Sequence, residues 1–477
     1  MTGNAASDSG EDLLLAYYGD DFTGSTDALE GLALNGVRTV LFVEPPIPED
    51  LARFDDLDAV GVAGTSRSMS PAQMDEALPP VYEALADLGA PLVHYKVCST
   101  FDSAPEVGSI GRAIDLARET LDPPFVPVSQ GTESPFGRYV VFGNLFAVQD
   151  GVPYRIDRHP TMAEHPTTPM READLRRHLG EQTDREVGLV DVRAMDDAET
   201  AGEALDAELA GDAPGSPEGG TDVVVLDALE AGHLHTVGEL LWERATAADG
   251  PLFAVGSSGL EHHALPAHWD GAGAIPDRTS LLEGQPAVDQ IAVVSGSASP
   301  VTADQIDWAA GNGFATVRLE TTALVDPETA RSAREEAVEA ALAALDAGES
   351  VVLFSARGPD DPAIAETEQR AAGLDLEGSI ATRLGREQGR VFAEVVRRAD
   401  LDRGCVAGGD TSGYVVPELD SYALDPVAAT EPGAPLCRVR SRDPVFDGFE
   451  LTLKGGQTGT TDYFGTVLAG GHDGSDR

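Results

Sequence analysis

Lys96 stands in Tyr95-Lys96-Val97-Cys98-Ser99-Thr100-Phe101-Asp102-Ser103 and is one of only two lysines in 477 residues; the other 30 basic residues are arginine. An ammonium beside hydroxyls and a carboxylate suits a small anionic, hydroxylated ligand, with Lys96 pairing the ligand's charge as a compact cation. Ser99, Thr100 and Ser103 can supply hydrogen bonds. The plainer alternative is a surface lysine paired to a neighbouring acid. That alternative is weak in a chain that writes its surface cations almost wholly as arginine. Cys98 reads as a small buried hydrophobe rather than a nucleophile.

A second group precedes it, Tyr18-Gly19-Asp20-Asp21-Phe22-Thr23-Gly24-Ser25-Thr26-Asp27. Asp20 and Asp21 leave an apolar run, Thr23, Ser25 and Thr26 offer hydroxyls, and Gly19 and Gly24 allow close backbone approach. Paired carboxylates there can bind a polyol, hold Mg²⁺ or act as general base. Asp21 or Thr23 could instead only cap a helix, but one cap does not need two aspartates. His159 and His165, six apart and each followed by proline, lie in an irregular loop suited to closing over a ligand. Their spacing is not that of a metal site.

Three further turns carry anion-binding character: Ser295–Gln305 (SGSASPVTADQ), Ala407–Gly413 (AGGDTSG) and Lys454–Phe464 (KGGQTGTTDYF). Small residues that end a strand and open a helix suit phosphate. Gly/Ser turns are common singly, but three in one region favour a nucleotide phosphate site. Neither GxxxxGK[ST] nor GxGxxG occurs, so neither a P-loop nor a dinucleotide fingerprint is expected.

The elements that must position these turns are short apolar runs alternating with amphipathic stretches, the pattern of largely parallel sheets flanked by helices. Strands are expected at 13–19, 39–43, 59–64, 91–97, 187–192, 222–228 and 252–258. A second set follows at 290–299, 316–320, 350–358, 404–413 and 449–456. The Pro/Gly-rich passage 266–286 divides them, giving two α/β domains, 13–270 and 286–468, each with its own sheet and with the site in the cleft between. Ligands of such sheets bind at the carboxyl ends of strands.

Composition narrows the function. Against 82 acidic residues stand 32 basic ones, a formal charge of −50. Self-repulsion of that size is relieved where molar salt shortens the Debye length to ~3 Å, so a halophile's solvated surface is the expected reason. With no basic stripe to neutralise phosphates, nucleic acid is excluded as a partner. No run approaches the ~18 apolar residues of a membrane span. The acidic N-terminus lacks the features of a secretion signal, and three scattered cysteines suit a reducing cytoplasm.

Taken in order, GDDFTGSTD, YKVCSTFDS, EHPTTPM, VVSGSASPVTADQ, AGGDTSG and LTLKGGQTG resemble the four-carbon acid sugar kinases, over about residues 14–464. The resemblance implies an N-terminal domain for the sugar acid, a C-terminal domain for ATP, and phosphorylation of the acid's terminal hydroxyl, with Mg²⁺. The acids expected are 3-oxo-tetronate, threonate or erythronate. It assigns Asp20, Asp21, Lys96, Ser99, Thr100, Asp102 and His165 to the substrate side, with Asp20 or Asp21 as the base. Ser295, Ser297, Gly408, Gly409, Asp410, Thr411 and Gly456 fall on the nucleotide side. The chain departs from the family pattern at three places. Asp410 stands where glutamate is usual, KGGQTG replaces a KSGNFG-like motif, and Glu164 precedes His165 where a second histidine is common. Two rival readings are a ribokinase-like enzyme with Asp410 as base and a non-catalytic sugar-acid sensor. The expected partner is the small sugar acid, with homo-oligomers left open.

Overall fold

The computed structural model describes residues 13–132, 136–165, 168–275, 278–374, 376 and 379–475. Pro166 and Thr167 of the EHPTTPM segment, and the first twelve residues, lie outside them. The first half contributes strands β1 (Leu15–Gly19), β2 (Thr39–Phe42), β3 (Ala59–Ala63), β4 (Leu92–Lys96) and β5 (Val126–Ser129). A separate antiparallel meander follows, β6 (Arg138–Val141), β7 (Asn144–Gln149) and β8 (Val152–Arg155). Then come β9 (Val187–Val190), β10 (Val223–Leu226) and β11 (Leu252–Gly256). The second half adds β12 (Ala292–Ser295), β13 (Phe314–Arg318), β14 (Ser350–Phe354) and β15 (Arg403–Ala407). It closes with β16 (Ser421–Glu431), β17 (Ala434–Ser441) and β18 (Glu450–Lys454).

Runs such as LAYYG and VVVL are buried on both faces, as strands covered by helices on either side must be. Alternate residues of β1 serve two cores: Leu15 and Tyr17 pack into one, Ala16 and Tyr18 into the other. The strand order is β13-β14-β12-β15-β18-β17-β16-β2-β3-β1-β4-β11-β5-β10-β9. Every pairing is parallel except those involving β16 and β17.

The architecture is the expected two-domain α/β one, with one difference: the sheets of the two halves are joined. β16 pairs antiparallel with β2 through Ala423–Phe42 and Leu424–Leu41, and Val43 N–H donates to Tyr422 at 3.0 Å. Each strand would otherwise be an edge with unpaired backbone groups. Arg38 and Arg440 both bind Asp425, each at 2.7 Å, and clamp the join. The strand β16 was not legible because Asp425 and Pro426 interrupt its apolar run. The passage 266–286 begins as helix, Leu265–Ala272, with Pro266 in its first turn, where proline is tolerated. It continues as chain bonded to both halves, Leu281 to Ala33 and Gln285 to Gly470. Among the described residues no helix is long and apolar enough to cross a membrane.

Candidate active site at converging strand ends

β1 ends at Gly19, and Asp21 caps the helix Phe22–Leu34, accepting from Gly24 N–H at 2.7 Å and Thr23 Oγ1 at 2.9 Å. Asp21 therefore does cap the helix, and it also pairs with Arg67 at 3.2 Å. The glycines have steric reasons: a Cβ on Gly19 would lie 2.0 Å from Ser25 Oγ, and one on Gly24 would lie 2.7 Å from Lys96 Nζ. Asp20 is buried, its Oδ1 has no hydrogen-bond partner, and burial pushes its carboxyl up to about 7, with the Asp21 charge adding to the rise against Arg67.

β4 runs beside β1 in register, Gly19 opposite Lys96, so Lys96 emerges next to the two aspartates. Its ammonium is buried and 3.4 Å from Asp27 Oδ2, and Asp27 Oδ1 lies 3.0 Å from His262 Nε2. Burial works against both charges, yet Lys96 and His262 outweigh it and hold Asp27 at about 2. Beyond Lys96 the chain turns tightly, with Phe101 at φ 56°, an uncommon conformation for a bulky residue. Within that turn Thr100 Oγ1 donates to Asp102 Oδ1 at 2.5 Å, and Ser99 lies half-buried.

Arg67 links the two groups. From the turn after β3 its guanidinium reaches Asp21 at 3.2 Å and Asp102 at 3.1 Å. Burial would raise the Asp102 carboxyl, but Arg67 and the Thr100 hydroxyl hold it down at about 2. The histidine loop folds onto the same carboxylate: Thr168 Oγ1 donates to Asp102 at 3.1 Å, and Thr168 N–H donates to His165 Nδ1 at 3.1 Å. A neutral His165 therefore carries its ring proton on Nε2. His159 lies apart, accepting from the backbone of Thr161 and Met162, each at 3.2 Å, and organises its own loop.

In the second half, β12, β15 and β18 are adjacent and their terminal turns interlock. Gly408, at φ +130°, donates to Lys454 O at 2.9 Å, and Gly296 donates to Ala407 O at 3.1 Å. A Cβ on Gly296 would meet Thr411 Oγ1 at 2.1 Å, and one on Gly456 would meet Ser297 Oγ at 2.7 Å. Ser295 Oγ is buried among these turns without a partner. Asp410 reaches solvent on its outer side, while loss of solvent on its inner side and the like charge of Asp21 raise its carboxyl.

The two halves meet at Gly409. A Cβ there would sit 3.3 Å from Thr23 Oγ1 and 3.4 Å from Asp21 Oδ2. A small cavity at this junction is lined by Asp20, Asp21, Arg67, Gly409, Asp410 and Tyr414. The structure thus brings Asp21 and Asp102 together on Arg67 and sets Lys96 beside Asp27, while Asp20, Asp21, Gly409 and Asp410 line one cavity and Ser295, Ser297 and Gly456 lie in the neighbouring turns. Arg67, Asp27 and His262 went unrecognised in the sequence. Arg67 follows an apolar strand in a small-residue turn, GTSRSMS, the same pattern that marks the other turns. Asp27 and His262 carry no such signal, since 235 residues separate them.

Comparison with known proteins bears directly on this division. A family model described as a sugar-binding N-terminal domain matches residues 15–264, and one described as a nucleotide-binding C-terminal domain matches residues 292–464. The chain belongs to the four-carbon acid sugar kinase family. Among its relatives is the 3-oxo-isoapionate kinase of Paraburkholderia graminis, 48% identical over 96% of this chain and 94% of that one. The 3-oxo-tetronate kinase of Pseudomonas fluorescens is 32% identical over 95% and 96% of the two chains. A solved structure from Salmonella typhimurium LT2 superposes with a TM-score of 0.71, at 26% identity over 95% and 98% of the two chains. The family is one of phosphotransferases, and its two modules coincide with the halves that supply the two sets of turns.

Proposed function

We propose that this enzyme transfers the γ-phosphoryl group of ATP to a hydroxyl of a 3-oxo sugar acid, with Asp20 as general base. The observation that carries the reading is the junction at Gly409, where the hydroxyl- and carboxylate-rich turns of one half face the glycine turn of the other across a small cavity. Phosphoryl transfer asks a protein chiefly for in-line positioning and charge neutralisation, and such a junction is built for both. Lys96 and Arg67 receive the substrate carboxylate, and Ser99, Thr100 and His165 take hydroxyl or oxo oxygens. Gly408–Thr411, Ser295, Ser297 and Gly456 face the phosphates.

Asp20 suits the base role better than Asp21, whose oxygens are already committed to Arg67, Thr23 and Gly24. A carboxyl near 7 can accept a hydroxyl proton at neutral pH. Among the described residues no group of three or more acidic, histidine or cysteine side chains could hold a metal by itself. Asp410, which lines the junction cavity, nonetheless fits Mg²⁺ arriving with the nucleotide, which binds through one or two carboxylates plus phosphate oxygens. Bound there, it would neutralise charge on the transferring phosphoryl group.

The 48% identity to a 3-oxo-isoapionate kinase supports an acid of that type over tetronates, threonate and erythronate. An ADP-release assay with ATP and each acid tests this. The expected order is 3-oxo-isoapionate first, 3-oxo-tetronate next, and threonate and erythronate poorest. Absence of turnover with every acid would overturn the kinase reading for this chain and favour a sensor.

A further inference from the structure

Lys454, the second of the two lysines, ends β18 and is fully buried. Its ammonium donates to Thr302 Oγ1 at 3.1 Å. Thr302 in turn donates to the Gly456 carbonyl at 2.9 Å and lies 3.2 Å from Ser297 Oγ. One hydroxyl therefore ties the helix Pro300–Ala310 to two of the turns assigned to phosphate, with the lysine behind it.

The ionisable groups around Lys454 do not balance its charge. Cys405 of β15 has a thiol that burial pushes up to about 12, and Tyr463, whose ring centroid is 6.0 Å from the ammonium, is likewise held neutral by burial. Glu30 acts on Tyr463, but its carboxylate accepts from Gly433 N–H at 2.7 Å. Among the described residues no carboxylate forms an ion pair with Lys454, and burial pushes its ammonium down to about 8. An unpaired buried cation is costly, and a mere filler here could be leucine or methionine.

We propose that Lys454 is a positioning cation of the nucleotide's phosphate cradle, acting through Thr302 and taking up a proton when phosphate charge enters. The proposal rests on the second half binding nucleotide, as argued above. Phosphate oxygens at Ser297 and Gly456 would supply the anion that the folded chain lacks, and would favour the charged form of the amine. Sign follows directly: affinity for nucleotide falls as pH rises through 8, because each binding event must then draw a proton from solution.

The test is calorimetry of ADP binding at pH 8.5 in two buffers of different ionisation enthalpy. With the free amine near 8, about three-quarters of the molecules begin neutral at that pH. The expected result is uptake of up to about three-quarters of a proton per ADP, abolished in Lys454→Met. That variant should also bind ADP about tenfold more weakly at pH 7. Thr302→Val provides a second variant should Lys454→Met not fold; it should weaken ADP binding while keeping the uptake. ADP binding without buffer-dependent heat would overturn the role of Lys454 and leave the nucleotide site standing. Unchanged uptake in Lys454→Met would do the same. No ADP binding at all would remove the nucleotide site, and this proposal with it.

Discussion

Replacing Asp20 by asparagine separates what the residue costs the fold from what it gives the reaction. Its folded carboxyl lies near 7 against an ordinary 3.8, a rise of about three pH units. At 1.36 kcal/mol per unit that is roughly 4 kcal/mol of stability forfeited in ionising the group. A raised acid is penalised as pH climbs from its unfolded value through its folded one. The penalty is therefore small at pH 4, between 1 and 2 kcal/mol at about pH 5, and complete only above about pH 7.5. Asp20→Asn removes it. Chemical denaturation should show the variant gaining at least ~2 kcal/mol more over the native protein at pH 8 than at pH 5. Activity should move the other way. Loss of a general base costs about 10²- to 10⁴-fold in kcat, and the rise of kcat/KM with pH through about 7 should disappear. A stability gain equal at both pH values would refute the burial argument, since an uncharged Asp20 has no pH-dependent penalty to lose. Retained kcat would refute the base assignment, and a large loss in Asp410→Asn alone would pass it to the nucleotide turn.

Three other outcomes can be measured directly. Lys96→Met should weaken sugar-acid binding about ten- to a hundredfold, the range for a charge-assisted contact of ~1.5–3 kcal/mol, while ATP binding measured calorimetrically hardly changes. Gly409→Val should raise the KM for ATP at least tenfold, because its Cβ would stand 3.3–3.4 Å from Thr23 and Asp21 and its methyl groups would project into the junction cavity. The formal charge of −50 calls for salt: the melting temperature should rise between 0.1 M and 3 M KCl, and a flat response would remove the halophilic explanation of the surface.

Much of this was written in the sequence where one local rule dominates. Apolar runs such as those of β1, β10 and β12 read as doubly covered strands, and the small or acidic turns after them are visible by adjacency. The meander of β6, β7 and β8 escaped notice because its strands are short and partly exposed, leaving little periodicity to read. Long-range pairing was equally illegible. Nothing near Lys96 announces Asp27 as its counter-ion, and nothing near Asp27 announces His262. Arg67 looked like one of 30 arginines, and only the fold shows it spanning two carboxylates. The identity of Asp20 as the strained member of the Asp20–Asp21 pair depends on which side chain faces water, a tertiary property that adjacent residues cannot encode.

The join between β2 and β16 has a mechanical meaning. The strands meet over two residue pairs and one flanking hydrogen bond, and Arg442–Asp50, Gly433–Glu30 and the packing of Phe54 on Tyr422 brace the seam, so the halves form one continuous body rather than two hung on a linker. Substrates must enter between turns that line a small shared cavity at Gly409. Opening and closing of that cavity would then flex one continuous plate, with no loosened linker to relax between turnovers.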